Sequence, residues 1–99
     1  MALSDETPTT FALSNYPNPF NPSTTLSYEL PVDALVSLVL YDMLGRQVRT
    51  FEDGYRTAGK YSMIWDGTNG TGSPVSTGLY LLRLQAGNTM LTHKLLLTK

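Results

Sequence analysis

The side chains best suited to acid–base chemistry are one histidine and a few aspartates. His93 lies among polar positions of the last apolar stretch, without a neighbouring serine or carboxylate arranged as nucleophile or orienting group. Asp42, Asp53 and Asp66 lie in glycine-containing turn sequences, where a carboxylate accepts hydrogen bonds from backbone N–H groups. We therefore expect a surface histidine, capping aspartates, no catalytic residues and no enzyme.

The stretch DGTNGTG, residues 66–72, carries oxygen-bearing side chains at alternate positions, as calcium loops do. It has one carboxylate, whereas calcium loops use several. It also lacks the Lys-Ser or Lys-Thr pair of a phosphate-binding loop, and its Asn69-Gly70-Thr71 acceptor pattern has meaning only in a glycosylating compartment. The favoured interpretation is a glycine-rich hairpin turn that binds no metal and no cofactor.

The segment YPNPFNP, residues 16–22, can form neither a helix nor a central strand. Each proline fixes φ, removes a backbone donor and disfavours helical geometry in the residue before it. Tyr16 and Phe20 are large apolar anchors for such an extended segment. We predict that this proline ribbon crosses the end of the domain, with Tyr16 or Phe20 sealing the core between the first two strands.

The last stretch, HKLLLTK at residues 93–99, differs from the others because three leucines are consecutive. A strand that is apolar on both faces is either enclosed in a sandwich or pairs with a partner through its edge. Lys94 and Lys99 flank the leucines, and flanking charges also protect ordinary strands from aggregation. Burial and edge pairing, including self-association through this strand, both remain open.

The composition indicates a single domain with its own hydrophobic core. Of the 99 residues, 41% are hydrophobic and 10% aromatic, and seven basic side chains balance eight acidic ones. No basic patch indicates nucleic acid, and no apolar run reaches the roughly 18 residues of a membrane span. The absence of cysteine excludes disulfides. Residues 1–10 are polar and are expected to be a linker or an expression start, which leaves residues 11–99 as the domain.

Apolar and polar residues alternate along most of the chain with the period of β-strands. The stretches with this pattern are FALSNY, STTLSYEL, ALVSLVLYD, RQVRTFE, KYSMIWD, GLYLLRLQ and TMLTHKLLLTK. Turn sequences separate them about every 10 residues. The pattern predicts an all-β fold, a seven-stranded antiparallel immunoglobulin-like β-sandwich, with Trp65 at the centre of its core. Within YDMLGRQV, Gly45 favours a hairpin over a helical turn, with Asp42 accepting backbone donors.

Four segments carry a family likeness: residues 13–31, 38–51, 58–87 and 93–99. Together they resemble the type A C-terminal sorting domain of the type IX secretion system. The same pattern is similar to the immunoglobulin-like domain named after the flagellar hook-capping protein. The combination of the proline ribbon with Trp-Asp-Gly at 65–67 and Gly-Leu-Tyr at 78–80 is more specific than any single motif.

The resemblance implies a noncatalytic address tag at the end of a larger exported protein. Such proteins reach the periplasm, cross the outer membrane after the translocon recognises the tag, and are released or attached at the cell surface, where a sortase commonly removes the tag. The translocon and the surface sortase are therefore the implied partners. The family motifs match the following residues, which the resemblance implies to be partner-binding: Pro17, Asn18, Pro19, Phe20, Gly78, Tyr80, Leu82, Lys94, Leu95, Leu96 and Leu97.

Two alternatives share the predicted fold. A structural or assembly module of hook-capping type would work inside a longer chain or in a self-assembling cap. A carbohydrate-binding accessory module would stack sugars on exposed aromatic side chains, for which the candidates are Tyr16, Phe20, Tyr55 and Tyr61.

Overall fold

The computed structural model describes residues 7–98, so the first part of the expected linker, residues 1–6, and the flanking Lys99 lie outside the described residues. Seven strands and no helix make up the regular structure between residues 7 and 98. The strands are β1 (Ala12–Tyr16), β2 (Thr24–Leu30), β3 (Ala34–Asp42), β4 (Gln47–Arg56), β5 (Gly59–Trp65), β6 (Gly78–Ala86) and β7 (Thr89–Leu97). In this part of the chain no helix is long and apolar enough to cross a membrane.

The strands form two facing sheets. One has three strands in the order β1-β2-β5, and the other has four in the order β4-β3-β6-β7, with every neighbouring pair antiparallel. The predicted seven-stranded antiparallel immunoglobulin-like sandwich is confirmed. Strand β4 extends to Arg56, beyond the predicted RQVRTFE stretch, so the predicted turn at Asp53 is wrong and Asp53 lies within the strand, opposite Ser37.

The core lies where the alternating apolar residues of both sheets meet. Along β2 the pleat turns Leu26, Tyr28 and Leu30 inward, and all three are buried. Trp65 is fully buried at the end of β5, with its ring 5.3 Å from the Phe20 ring, which confirms it as a core residue. The remaining large buried side chains come mainly from β3, β6 and β7: Leu38, Leu40, Leu82, Leu84, Leu95 and Leu97.

The turn between β3 and β4 is the predicted hairpin. The Asp42 carboxylate accepts hydrogen bonds from the backbone N–H groups of Leu44 and Arg46, each at 2.9 Å, and from Arg46 Nε at 2.8 Å. These bonds, led by the one from the Arg46 backbone, lower the pKa of Asp42. Gly45 adopts φ +84°, a left-handed conformation that glycine accepts without steric cost.

The glycine-rich segment that follows β5 contains the predicted turn, since Thr68 and Pro74 form an antiparallel bridge and the Gly72 N–H donates to the Asn69 carbonyl at 3.0 Å, but this turn does not join two strands of one sheet. Strands β5 and β6 belong to different sheets, and residues 66–77 carry the chain from one sheet to the other. Side-chain caps hold this connection in place: Asp66 accepts the Thr68 backbone N–H, and Asn69 Oδ1 accepts the N–H groups of Thr71 and Ser73. Hydrogen bonds to Asp66, chiefly from the Thr68 side chain, lower the pKa of its carboxyl group.

The crossing connection ends in a tyrosine corner. The Tyr80 hydroxyl donates a hydrogen bond to the Ser76 carbonyl, four residues before it, at the start of β6. Immunoglobulin-like sandwiches use this contact to fix the loop that enters the equivalent strand. The ring of Tyr80 packs edge-on against Trp65 at 5.5 Å, so the corner is tied directly to the core.

Candidate functional site

The proline ribbon runs beside the terminal strand and closes its outer edge. Backbone hydrogen bonds join Phe20 N–H to the Leu96 carbonyl at 3.0 Å and Thr98 N–H to the Phe20 carbonyl at 2.9 Å. They form a short parallel bridge between Phe20 and Leu97. The first part of the chain therefore pairs with both sheets, through β1 on one side and through the ribbon on the other.

Asn18 extends this pairing with its side chain. Its Nδ2 donates to the Lys94 carbonyl at 3.1 Å, and its Oδ1 accepts the Leu96 backbone N–H at 3.0 Å. The side-chain amide thus presents the donor and acceptor that a neighbouring strand would supply, at a place where the adjacent prolines cannot donate. We call the contact between residues 17–20 and 94–98 the seam.

Phe20 is the ribbon residue that seals the core. It is 2% exposed and packs against Trp65, whereas Tyr16 is 83% exposed on the outer face of the three-stranded sheet. The prediction named either aromatic, and the structure assigns the sealing role to Phe20 alone. The ribbon follows β1 directly and carries the chain from the partner of β1, strand β2, across to the edge of β7. On this path the Phe20 side chain lies between the two sheets.

A small polar network lies beneath the seam. The buried Asn15 donates from Nδ2 to Thr24 Oγ1 at 3.1 Å and to the Pro17 carbonyl at 3.2 Å, while the Thr24 hydroxyl donates to the same carbonyl at 2.8 Å. The Pro17 carbonyl therefore finds partners although it lies at the start of an irregular segment. This network fixes the point at which the ribbon leaves β1.

His93 completes the network, which corrects the prediction of a surface histidine. It is half-buried on the inward side of β7, and its Nε2 lies 2.7 Å from Asn15 Oδ1. Since both Asn15 and His93 occupy inward strand positions, the contact joins the edges of the two sheets. No group of three or more histidine, aspartate and glutamate side chains suited to a metal occurs among the described residues.

The predicted partner-binding residues lie on three adjacent segments: the ribbon, β6 and β7. In the β6–β7 pairing Gly78 lies opposite Leu97, and Tyr80 lies opposite Leu95. Their accessibility divides them, because five are buried in the core: Phe20, Tyr80, Leu82, Leu95 and Leu97. Gly78 and Leu96 are partly exposed, and four are open to solvent: Pro17, Asn18, Pro19 and Lys94. That these residues bind a partner stays a prediction.

In β7 the leucine run is both buried in the sandwich and paired along its edge. Leu95 and Leu97 point into the core, and Leu96 lies half-exposed on the outer face. Its edge is paired over residues 94–98, but the pairing is with the ribbon of the same chain. Self-association through this strand stays a prediction, and only the part before Lys94 has an open edge for it.

The candidate sugar-stacking aromatics do not meet on one surface. Phe20 is buried, and Tyr61 is half-buried and stacked on Tyr28 at 5.0 Å. Tyr16 and Tyr55 are exposed, but they belong to strands of different sheets.

The roles of Asn15 and Thr24 were not predicted from the sequence. The signal available was their position, since each is a polar residue at an inward place in a strand whose other inward residues are apolar. A buried polar pair flanking a proline-rich segment indicates that the segment's carbonyl groups need partners.

The chain also matches a described protein family. The model of the FlgD Ig-like domain matches residues 18–89, from the middle of the ribbon to the first residue of β7. No curated protein matches the chain.

Three solved structures are similar to the sandwich. A region of dimeric latent PorU from Porphyromonas gingivalis has a TM-score of 0.70 at 21% identity, covering 90% of this chain and 9% of that one. PorZ, an essential surface component of the type IX secretion system of the same bacterium, has a TM-score of 0.63 at 18% identity, with coverage of 89% and 12%. FlgD from P. aeruginosa has a TM-score of 0.57 at 29% identity, with coverage of 75% and 57%. The chain thus spans a small part of PorU and PorZ and just over half of FlgD, and the likeness to PorU and PorZ is one of fold.

Proposed function

This chain belongs to the FlgD Ig-like domain family, and on that premise we propose that it is a noncatalytic C-terminal sorting module. It directs a larger exported protein across the outer membrane through the type IX secretion system. Its protein is in the periplasm during transit, and is afterwards released or attached at the cell surface with the module removed. The proposal draws support from the motif resemblance, and from the occurrence of a similar fold in PorZ, a component of that system.

The seam is the observation that carries the proposal. It joins the first and the last of the family motifs into one surface, through five hydrogen bonds between Asn18 or Phe20 and residues 94–98. Pro17, Pro19 and Lys94 are exposed there, so a partner reaches a preorganised surface and loses little conformational entropy by binding it. The buried motif residues act indirectly, because they hold the seam against the core.

The mechanism is binding. The translocon binds the folded domain at the seam. A surface sortase subsequently cleaves the chain ahead of the domain. No residue of the domain makes or breaks a covalent bond in this sequence of events.

A reporter fusion tests this function. An exported reporter is joined to residues 11–99 and expressed in a bacterium that has the type IX system, and in the same strain without its translocon. The reporter should reach the surface of the first strain and stay in the periplasm of the second, as measured by antibody labelling of intact cells. Equal labelling of the two strains would refute the proposal.

A second candidate is an assembly module of hook-capping type, which the family match and the likeness to FlgD favour. In that case the fusion leaves the reporter in the periplasm of both strains, while a hook-capping protein whose own domain is replaced by residues 11–99 keeps its capping activity. Motility of a strain carrying that chimera separates the two functions.

A further inference from the structure

Strand β5 has an open edge. It pairs on one side with β2 in an uninterrupted register, from Thr24 opposite Trp65 to Leu30 opposite Gly59. Within residues 7–98 no backbone hydrogen bond from a turn or loop reaches its other side. An open edge of this kind presents unpaired N–H and C=O groups to any strand that fits.

The outer strands of the four-stranded sheet are protected by comparison. The ribbon covers β7 over residues 94–98, and β4 has two register shifts along its pairing with β3. Strand β4 also carries four charged side chains: Arg49, Glu52, Asp53 and Arg56. Bulges and charges are the usual means of preventing edge pairing. Strand β5 has neither a bulge nor a proline, and its one charged residue is Lys60, near its start.

The side chains of β5 suit pairing with a second β5. On the outer face, Ser62 is exposed and continues a row of serines that runs across the sheet through Ser27 and Ser14. Ile64 is 67% exposed on the same face. On the inner face, Tyr61 and Met63 pack against the core and remain partly exposed at the edge.

We propose that two copies of the chain pair antiparallel through β5, with the two Ser62 residues opposite each other on the twofold axis. The two three-stranded sheets become one six-stranded sheet. In this register Lys60 of one copy lies beside Ile64 of the other, and Tyr61 lies beside Met63. The lysine stem covers the exposed isoleucine, and the thioether contacts the aromatic ring.

The charges permit this arrangement. The two Lys60 side chains are four residues apart along the strand, about 13 Å, which exceeds the Debye length of roughly 8 Å at physiological salt. Each Lys60 lies opposite Glu29 of its own β2, so its charge is balanced within the sheet. Only hydroxyl groups meet on the twofold axis. The dimer is independent of the sorting function, since the seam lies on β7.

Cysteine cross-linking tests the register. The chain contains no cysteine, so a Ser62→Cys variant has a single thiol. Directly opposite residues of an antiparallel pair have Cα atoms about 4.5–5.5 Å apart, within the range of a disulfide. Mild oxidation should convert Ser62→Cys to a covalent dimer much faster than Ser14→Cys, in which the thiol replaces another exposed member of the same serine row, on β1. Equal rates for the two variants would overturn the proposed pairing.

Charge substitution tests the dimer without a covalent bond. Sedimentation velocity of the unmodified chain should show dimer that increases with protein concentration. Ser62→Lys and Ser62→Glu should each be monomeric, because like charges then lie directly opposite, and an equimolar mixture of the two should restore the dimer. A chain that remains monomeric at every concentration, or charge variants that dimerise as the unmodified chain does, would overturn the inference.

Discussion

Replacing Asn18 by alanine should loosen the terminal strand without disturbing the core. The substitution removes the two hydrogen bonds from the side-chain amide to the Lys94 carbonyl and the Leu96 N–H, and it leaves the Phe20 backbone bridge in place. A net contribution of about 0.5–1.5 kcal/mol per hydrogen bond, at the lower end for exposed groups, gives a loss of about 1–2 kcal/mol. For a domain of this size that loss lowers Tm by roughly 5–10 °C.

Urea unfolding followed by Trp65 fluorescence measures the loss, because that ring is fully buried. Asn21→Ala is the matched control, since Asn21 is also exposed, also precedes a proline, and makes no side-chain hydrogen bond within the described part of the chain. Hydrogen exchange gives the local readout, in which the Leu96 N–H should exchange faster in Asn18→Ala only. If both substitutions cost the same to within about 0.3 kcal/mol, the seam is not held by the Asn18 amide and the reasoning fails.

Three further perturbations probe the core, the tyrosine corner and the turn between β3 and β4. Phe20→Ala removes the ring that packs on Trp65 and should cost about 3–4 kcal/mol in urea unfolding, with Phe20→Leu recovering much of the loss. Tyr80→Phe removes the hydrogen bond to the Ser76 carbonyl and should cost about 1 kcal/mol, and an unchanged midpoint would contradict the tyrosine corner. The folded-state pKa of Asp42 is lowered, so its stabilising effect is complete at neutral pH and is lost as the pH falls through the acid range. Asp42→Asn should therefore flatten the decline of Tm with acidification, and an identical decline would contradict this role.

The fold followed from the sequence because the two strongest local signals agree. The period-2 alternation places one apolar face on most strands, and turn residues separate most of the strands, so two facing sheets are the simplest arrangement that buries the apolar faces. The buried position of Trp65 and the Asp42 turn follow from the same signals. The turn within residues 66–72 was predictable but the crossing was not, because a glycine-rich turn looks alike whether the chain returns to the same sheet or crosses to the other.

The candidate site was predictable as a set of motifs but not as an arrangement. The proline ribbon indicates an extended segment, yet only the folded chain places Asn18 beside the Lys94 carbonyl, 76 residues further along. His93 was misassigned because its polar character hides its inward position, which depends on the register of β7 against β6. Long-range pairing of this kind leaves no local pattern in the sequence.

Recognition of the folded domain at its seam is best tested with a charge reversal that leaves the core untouched. In the reporter fusion, Lys94→Glu changes an exposed seam residue, and Asn88→Glu changes an exposed residue of the turn before β7, at the far end of that strand. The quantity to measure is the fraction of reporter labelled on intact cells that have the type IX system, with equal thermal stability of the two variants verified beforehand. We predict a several-fold lower fraction for Lys94→Glu and an unchanged fraction for Asn88→Glu. Equal fractions for the two variants would contradict recognition at the seam.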